Sequence, residues 1–455
     1  MRVMPRERRD LASRYASRSE KGWAIAVRLA TPETIRNLQR ALYQRAKQAP
    51  LQRFYSLYDK VYRRDILTHA FALCRANGGA SGPDGVTFES MDEAAAEVML
   101  TKVSEELRGK TYRPGPVRRV YIPKANGGER PLGIPNIVDR VVQTAAKLVL
   151  EPIFEADFES DSYGFRPRRS AHQALKAVGE SVAAGMSWAI DADIKQYFDS
   201  IPHDRLMKVV ATRVVDSSML ALIRMFLAAP IIDMREGGGP RRPTAGVPQG
   251  GTVSPLLANI YLHLLDRSFR KRTEKGDLEG RLIRYCDDFV LLTRHPPTRE
   301  LTWLQHLMGR LGLVLHPDKT RIVDTRRESF DFLGYRVRRR ARRQWVLDIS
   351  PKSLARIRER LRGPTRLTFK PVEALVSEVN AYIRGAREYF RLSPWWSRRR
   401  LDSYVQMRFA QWFRRKHGQK FPMWSRVSGD RIHREDGVLA WAPVQPWSQN
   451  TAWAP

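Results

Sequence analysis

The sequence predicts an α+β protein followed by a wholly helical part. Two observations carry this. From residue 32 to about 346, helical stripes alternate with short apolar runs of strand character. From about 352 onward, apolar residues recur only at spacings of three and four.

Thr31 as N-cap and Pro32 in the first turn predict a helix over 32–48. Ser81-Gly82-Pro83-Asp84-Gly85 is a turn. A helix is expected from Met91 to Arg108, a strand from Val117 to Ile122, and helices from Ile137 to Phe158 and from Ala171 to Val182. Trp188 to Ile194 is an apolar strand interrupted by Asp191 and Asp193. After Pro248-Gln249-Gly250-Gly251 a helix should run from about Pro255 to Phe269, then a hairpin, a helix near 297–311, and short strands through 346. Val372, Leu375, Val376, Val379, Tyr382, Ile383, Ala386 and Tyr389 trace one helical stripe. Leu401, Val405, Arg408 and Trp412 trace a second, beyond a break at Pro394-Trp395-Trp396.

The 455 residues suffice for a large core and more than one domain, and they carry a net charge of +32. Such a balance points to a polyanionic partner, most simply nucleic acid, with an acidic membrane surface or a ribosome-like role as the bland alternatives. The charge is segregated. Residues 1–64 hold 16 Lys and Arg against 5 acids, and residues 351–420 hold 18 against 5, so the rest carries only +8. Aromatic residues interleave with the basic ones, as in Arg53-Phe54-Tyr55, Tyr62-Arg63-Arg64 and Trp412-Phe413-Arg414-Arg415, which suits stacking surfaces; solvated helix faces are the other reading. No run of 18 apolar residues exists, so no membrane span is expected, and the Arg-rich start lacks the apolar core of a secretory leader. Two cysteines, Cys74 and Cys286, support neither a disulfide framework nor a cysteine zinc site. A reducing, cytoplasmic setting fits.

Four segments carry chemistry. In Tyr285-Cys286-Asp287-Asp288, two acids sit between Leu282-Ile283 and Phe289-Val290-Leu291-Leu292, at the tip of a tight hairpin. With a third carboxylate they would form a Mg²⁺ site for phosphoryl transfer; alone, acids in a turn usually face water. Asp191 and Asp193 share one face of their strand, where an acid is costly unless paired or coordinating. Asp193 is the metal-ligand candidate, and Phe198, five residues on, can press against whatever the site holds; Asp191 or Asp199 could instead cap backbone. Pro248-Gln249-Gly250-Gly251 permits close backbone approach to a ligand before a helix start, with the Gln249 amide able to touch a nucleotide or template; an ordinary strand-to-helix loop fits as well. Pro123-Lys124-Ala125-Asn126-Gly127-Gly128-Glu129-Arg130-Pro131-Leu132-Gly133 reads as a hairpin tip that either folds Lys124 and Arg130 over a triphosphate or is a solvated turn.

In this order, together with Leu42-Tyr43-Gln44-Arg45-Ala46-Lys47, Ser81-Gly82-Pro83-Asp84-Gly85-Val86, Ser162-Tyr163-Gly164-Phe165-Arg166-Pro167, His316-Pro317-Asp318-Lys319-Thr320 and Phe332-Leu333-Gly334-Tyr335, the segments resemble a bacterial group II intron-encoded reverse transcriptase. Arg384-Gly385-Ala386-Arg387-Glu388-Tyr389-Phe390 resembles the helical thumb, or maturase domain, of the same family. The resemblance implies a right-hand polymerase fold, with fingers and an antiparallel palm sheet followed by that thumb. It implies a basic extension with the first polymerase block over 1–64, fingers and palm over 65–346, thumb over 347–420, and a tail over 421–455 that is a candidate minimal DNA-binding segment.

It further implies that Asp193, Asp287 and Asp288 hold two Mg²⁺ ions, that Phe198 excludes a 2′-hydroxyl, and that Lys124 and Arg130 bind phosphates. Gln249 then lies beside the incoming nucleotide, Lys319 neutralises or protonates pyrophosphate, and Phe332-Leu333-Gly334 is the primer grip. The implied partners are template and intron RNA, a DNA primer or target, and dNTPs. Two departures stand out. Cys286 replaces the alanine usual in the family's hairpin. No Cys/His cluster of an HNH endonuclease follows residue 420, His417 and His433 being isolated, so second-strand cutting is not expected. The leading reading is an RNA-directed DNA polymerase that assists splicing of its own intron. The alternatives are a domesticated relative in DNA repair or phage defence, and an RNA-binding splicing factor without polymerase activity.

Overall fold

The computed structural model describes residues 29–123, 128–233, 235, 237, 239–339, 344–418 and 431–442. They divide into two units built from interleaved segments: Met1–Ala174 with Ile190–Leu291 and Pro297–Arg321, and Leu175–Ala189 with Leu292–Pro296 and Ile322–Pro455.

The first unit is organised on the helix Ile137–Glu155, which is buried almost all round through residues such as Val141, Val142, Ala145, Val149, Leu150 and Ile153. The helices Glu33–Gln48 and Arg64–Asn77 pack against it. Strands β1 (Val117–Pro123) and β2 (Glu129–Ile134) form an antiparallel hairpin with Ile122 opposite Arg130. With β4 (Ile231–Ile232) and β5 (Pro240–Arg241) they make a sheet ordered β2-β1-β4-β5, and β3 (Trp188–Ala192) belongs to another, ordered β6-β7-β3-β8. In that sheet β6 spans Arg281–Tyr285, β7 Asp288–Thr293 and β8 Arg321–Asp324. The helix Ser254–Glu274 buries Leu256, Leu257, Ile260, Tyr261 and Leu265, and also, unusually, Asn259 and Asp266.

The second unit contains a three-stranded antiparallel meander, β9 (Phe330–Phe332), β10 (Tyr335–Arg339) and β11 (Trp345–Ile349), with β10 central. Among the described residues three long helices follow, Pro351–Arg362, Val372–Tyr389 and Trp395–His417. The second and third follow the two stripes read from sequence.

Several expectations are corrected. The first helix begins at Glu33 with Pro32, not Thr31, at the cap position and no side-chain cap. The next predicted helix begins at Glu93, because the Asp92 carboxylate accepts from the Ala95 amide at 2.7 Å and stops the helix there. The strand at Trp188 ends at Ala192, one residue before Asp193. Of the aromatic residues read as stacking surfaces, Phe54, Trp412 and Phe413 are core residues. Phe54 lies under the Arg213 guanidinium, and Trp412 donates from its indole to Leu367 O at 2.9 Å. Each element needed an apolar anchor, and aromatic rings bury the most area; Tyr55, 70% exposed, keeps its solvent face.

Candidate active site

The chain turns from β6 to β7 through Cys286 and Asp287 alone, and Asp288 opens β7. Cys286 adopts a left-handed backbone, φ 60°. A residue with a side chain holds that conformation only where its surroundings fix it. They do. Arg284, fully buried, grips Asp266 with Nε and Nη2, and donates to Asn259 Oδ1 and the Cys286 carbonyl, each at 2.9 Å, and to Ser162 Oγ at 2.7 Å. From the other side, a Cβ on Gly164 would lie 2.3 Å from the Cys286 amide nitrogen, so only glycine allows the backbones to approach this closely. Asn259 Nδ2 donates to the Gly164 carbonyl at 2.7 Å and closes the clamp.

Sequence reasoning left Arg284, Asp266 and Asn259 without a role. A signal existed. Asn259 and Asp266 are seven residues apart, on one face of an otherwise apolar helical stretch, and Arg284 interrupts an apolar strand. Buried polar groups facing each other from two elements imply pairing.

Asp193 follows β3 directly. Its carbonyl accepts from His316 N at 2.7 Å, and Lys319 Nζ lies 2.7 Å from its Oδ2. Asp191 pairs with Arg321, Oδ2 to Nε at 3.4 Å. Burial raises Asp287 above the usual carboxylate range; the Arg130 charge opposes that rise, and the Asp193 carboxylate adds to it. The turn therefore has Arg130 and Asp193 within electrostatic reach. Asp288 is exposed. Burial, and next the Asp287 charge, push the Cys286 thiol well up, so it stays protonated at neutral pH and is no nucleophile.

Among the described residues, no three His, Cys, Asp or Glu side chains converge closely enough to enclose a metal ion. The donor chemistry nevertheless fits a hard divalent cation: oxygen ligands only, with one carboxylate raising the proton affinity of another. The Lys319 ammonium meanwhile neutralises the Asp193 oxygen.

Arg130 and Gln249 meet, Nε donating to Oε1 at 2.7 Å. The loop carrying Gln249 docks on β2: Gly133 N donates to Gln249 O at 2.6 Å, and a Cβ on Gly250 would lie 2.1 Å from Gly133 O. The close approach expected of these glycines is thus made to the backbone of β2. Lys124 lies outside the described residues. Phe198, 6% exposed, packs edge-on against Tyr197, and its carbonyl accepts from Val247 N at 2.6 Å. Gly246, φ 93°, precedes this latch.

Phe332, Leu333 and Gly334 belong to the second unit, where Leu333 and Gly334 form a tight turn with φ 50° and 76°. Tyr389 Oη donates to the Leu333 carbonyl at 2.7 Å and Ser353 Oγ to the Gly334 carbonyl at 2.9 Å, so the helices Pro351–Arg362 and Val372–Tyr389 fix the turn.

Residues 122–337 match the family model described as reverse transcriptase (RNA-dependent DNA polymerase), and residues 354–428 match that of the group II intron maturase-specific domain. Protein YkfC of Escherichia coli K12 is 36% identical over 349 residues, covering 68% of this chain and 90% of that protein. This chain belongs to the group II intron-type reverse transcriptases. The group II intron-encoded protein LtrA of Lactococcus lactis is 40% identical over 228 residues, half of this chain but 37% of LtrA, so the likeness spans little more than a third of that longer protein. The fold is accordingly that of a right-hand polymerase, α+β with fingers and palm, and the family's reaction is RNA-directed DNA polymerisation, which uses divalent metal ions. Both family domains are nucleic-acid-binding. None of the described helices is long and apolar enough to cross a membrane.

Proposed function

We propose that the chain copies RNA into cDNA at Asp193, Asp287 and Asp288, which hold two Mg²⁺ ions, and that it assists splicing and mobility of its own group II intron. The observation that carries the reading is the Arg130–Gln249 hydrogen bond of 2.7 Å, with Arg130 and Asp193 opposing each other in their effect on the proton affinity of Asp287. Bound there, the ions would activate the primer 3′-hydroxyl and neutralise the pyrophosphate leaving group.

The chain's own residues do the positioning. The Arg130 fork, oriented by Gln249, binds the triphosphate of the incoming dNTP, with Lys124 as its partner. Lys319, paired with Asp193 at 2.7 Å, would supply its positive charge to the pyrophosphate. Phe198, its backbone held by Val247, excludes a ribose 2′-hydroxyl by the bulk of its ring and so selects deoxynucleotides. Phe332-Leu333-Gly334 grips the primer. Residues 1–64 and 347–420 hold template and intron RNA through their charge, while 65–346 are fingers and palm. Residues 421–455, which lie largely outside the described residues, are a candidate minimal DNA-binding segment, and the setting is the bacterial cytoplasm.

The test is extension of a DNA primer annealed to RNA, with dNTPs and Mg²⁺. Full-length cDNA is expected, and it should disappear with EDTA. Extension on DNA templates alone, or none on either, would defeat the reading and leave a splicing factor or a repair enzyme.

A further inference from the structure

The sequence motif Ser162-Tyr163-Gly164-Phe165-Arg166-Pro167 contributes to the clamp through Ser162 and Gly164, but Phe165 takes no part in it. Phe165 is 55% exposed and holds a left-handed backbone, φ 54°. Exposure forfeits the burial of a large ring, and the backbone conformation is strained for any residue with a side chain.

Both neighbours are pinned. Gly164 is pressed on the Cys286 amide and bonded to Asn259. Arg166 is buried, pairs with Glu155 through Nε and Nη2, donates to the Glu159 and Ser162 carbonyls, and lies 5.1 Å over the Phe158 ring. The Phe165 ring therefore projects from a turn fixed at both ends. It stands 6.4 Å from the Tyr285 ring, tilted by 43°, and Tyr285 is two residues before Asp287. Arg168, exposed, and Arg169 stand three and four residues after Phe165 and favour a polyanion.

We propose that Phe165, backed by Tyr285, is an apolar shelf for the nucleotide at the primer 3′ end. The ring packs on the sugar and base of that nucleotide while Arg168 and Arg169 meet the adjoining phosphates. A rigid, exposed aromatic beside the reacting centre holds a nucleotide through van der Waals and stacking contact, without reading its sequence. This rests on the polymerase reading, and it places at the primer terminus a residue with no role in metal or triphosphate binding.

Phe165→Gly tests it, because glycine accepts the left-handed backbone and removes only the ring. Primer–template affinity should fall about tenfold, the order of one lost base–aromatic contact. The dNTP KM at saturating primer–template should hold, and the apparent melting temperature should hold or rise. Phe165→Tyr should restore primer binding. The shelf is overturned if Phe165→Gly binds primer–template as the wild type does, if the dNTP KM rises instead, or if Phe165→Tyr is as defective as Phe165→Gly. A wild type that extends no primer overturns the polymerase reading itself; a wild type that extends, matched by Phe165→Gly, overturns the shelf alone.

Discussion

Arg284→Met should separate the stability of the first unit from the geometry of the Cys286-Asp287 turn, the proposed catalytic turn. The guanidinium is fully buried and satisfies both oxygens of Asp266, whose side chain is only 5% exposed. Removing it strands a buried carboxylate, which costs about 3–5 kcal/mol, and lowers the apparent melting temperature by roughly 10 °C for a unit of this size. Adding Asp266→Leu removes the stranded charge, so the double variant should recover all but about 1–2 kcal/mol. Activity should not recover with it, because the Cys286 carbonyl loses its donor in both variants and the left-handed turn carrying Asp287 loosens. The assays are thermal denaturation and single-turnover primer extension on the same preparations. Single and double variants of equal stability would refute the stranded-charge argument. A double variant regaining both stability and rate would refute the positioning role of Arg284.

Gly246→Ala should cost about 2 kcal/mol or more, since its φ is 93° and the new Cβ would lie 2.9 Å from Asp199 O; loosening the adjacent Val247–Phe198 bond should also raise rNTP incorporation relative to dNTP, measured by competitive extension. Phe198→Val should relax the same discrimination with primer binding unchanged, and an unaltered dNTP preference would remove Phe198 from that role. Burial holds His263 down to about 4, its Nδ1 having no partner and its ring lying against Phe158. Between about 6.5 and 4 the unfolded chain takes up a proton that the folded one refuses, so stability should fall as pH drops through that window, by about 2 kcal/mol at pH 5. Melting curves of His263→Leu should lack that part of the slope.

What was legible in the sequence follows from periodicity and motif order. The stripes from Val372 to Tyr389 and from Leu401 to Trp412 became helices because three- and four-residue spacing commits one face to burial. The Asp287-Asp288 hairpin was readable because two acids between apolar strands have few other homes. The meeting of Arg130 and Gln249, 119 residues apart, was not readable from either segment alone, each of which fits an ordinary loop. The Arg284–Asp266–Asn259 network was hidden for the same reason: pairing across elements needs the packing that the sequence does not state. The aromatic residues of the basic stretches misled because interleaving looks alike whether a ring faces RNA or the core, and Phe54, Trp412 and Phe413 face the core. Cys286, ambiguous as a letter in a motif, gains a physical reading. It is a small, protonated residue in a left-handed turn pressed on Gly164, a position that admits alanine or cysteine and penalises bulk.

The central claim is that Asp287 belongs to a polymerase site and not to an RNA-binding surface. Its most direct test is single-turnover extension of a primer on RNA by wild type and Asp287→Asn, with RNA affinity measured in parallel. The variant should extend at least a hundredfold more slowly, about 3 kcal/mol of lost transition-state stabilisation, with RNA affinity retained. Equal extension rates, or a loss of RNA binding that accounts for the whole effect, would contradict that claim.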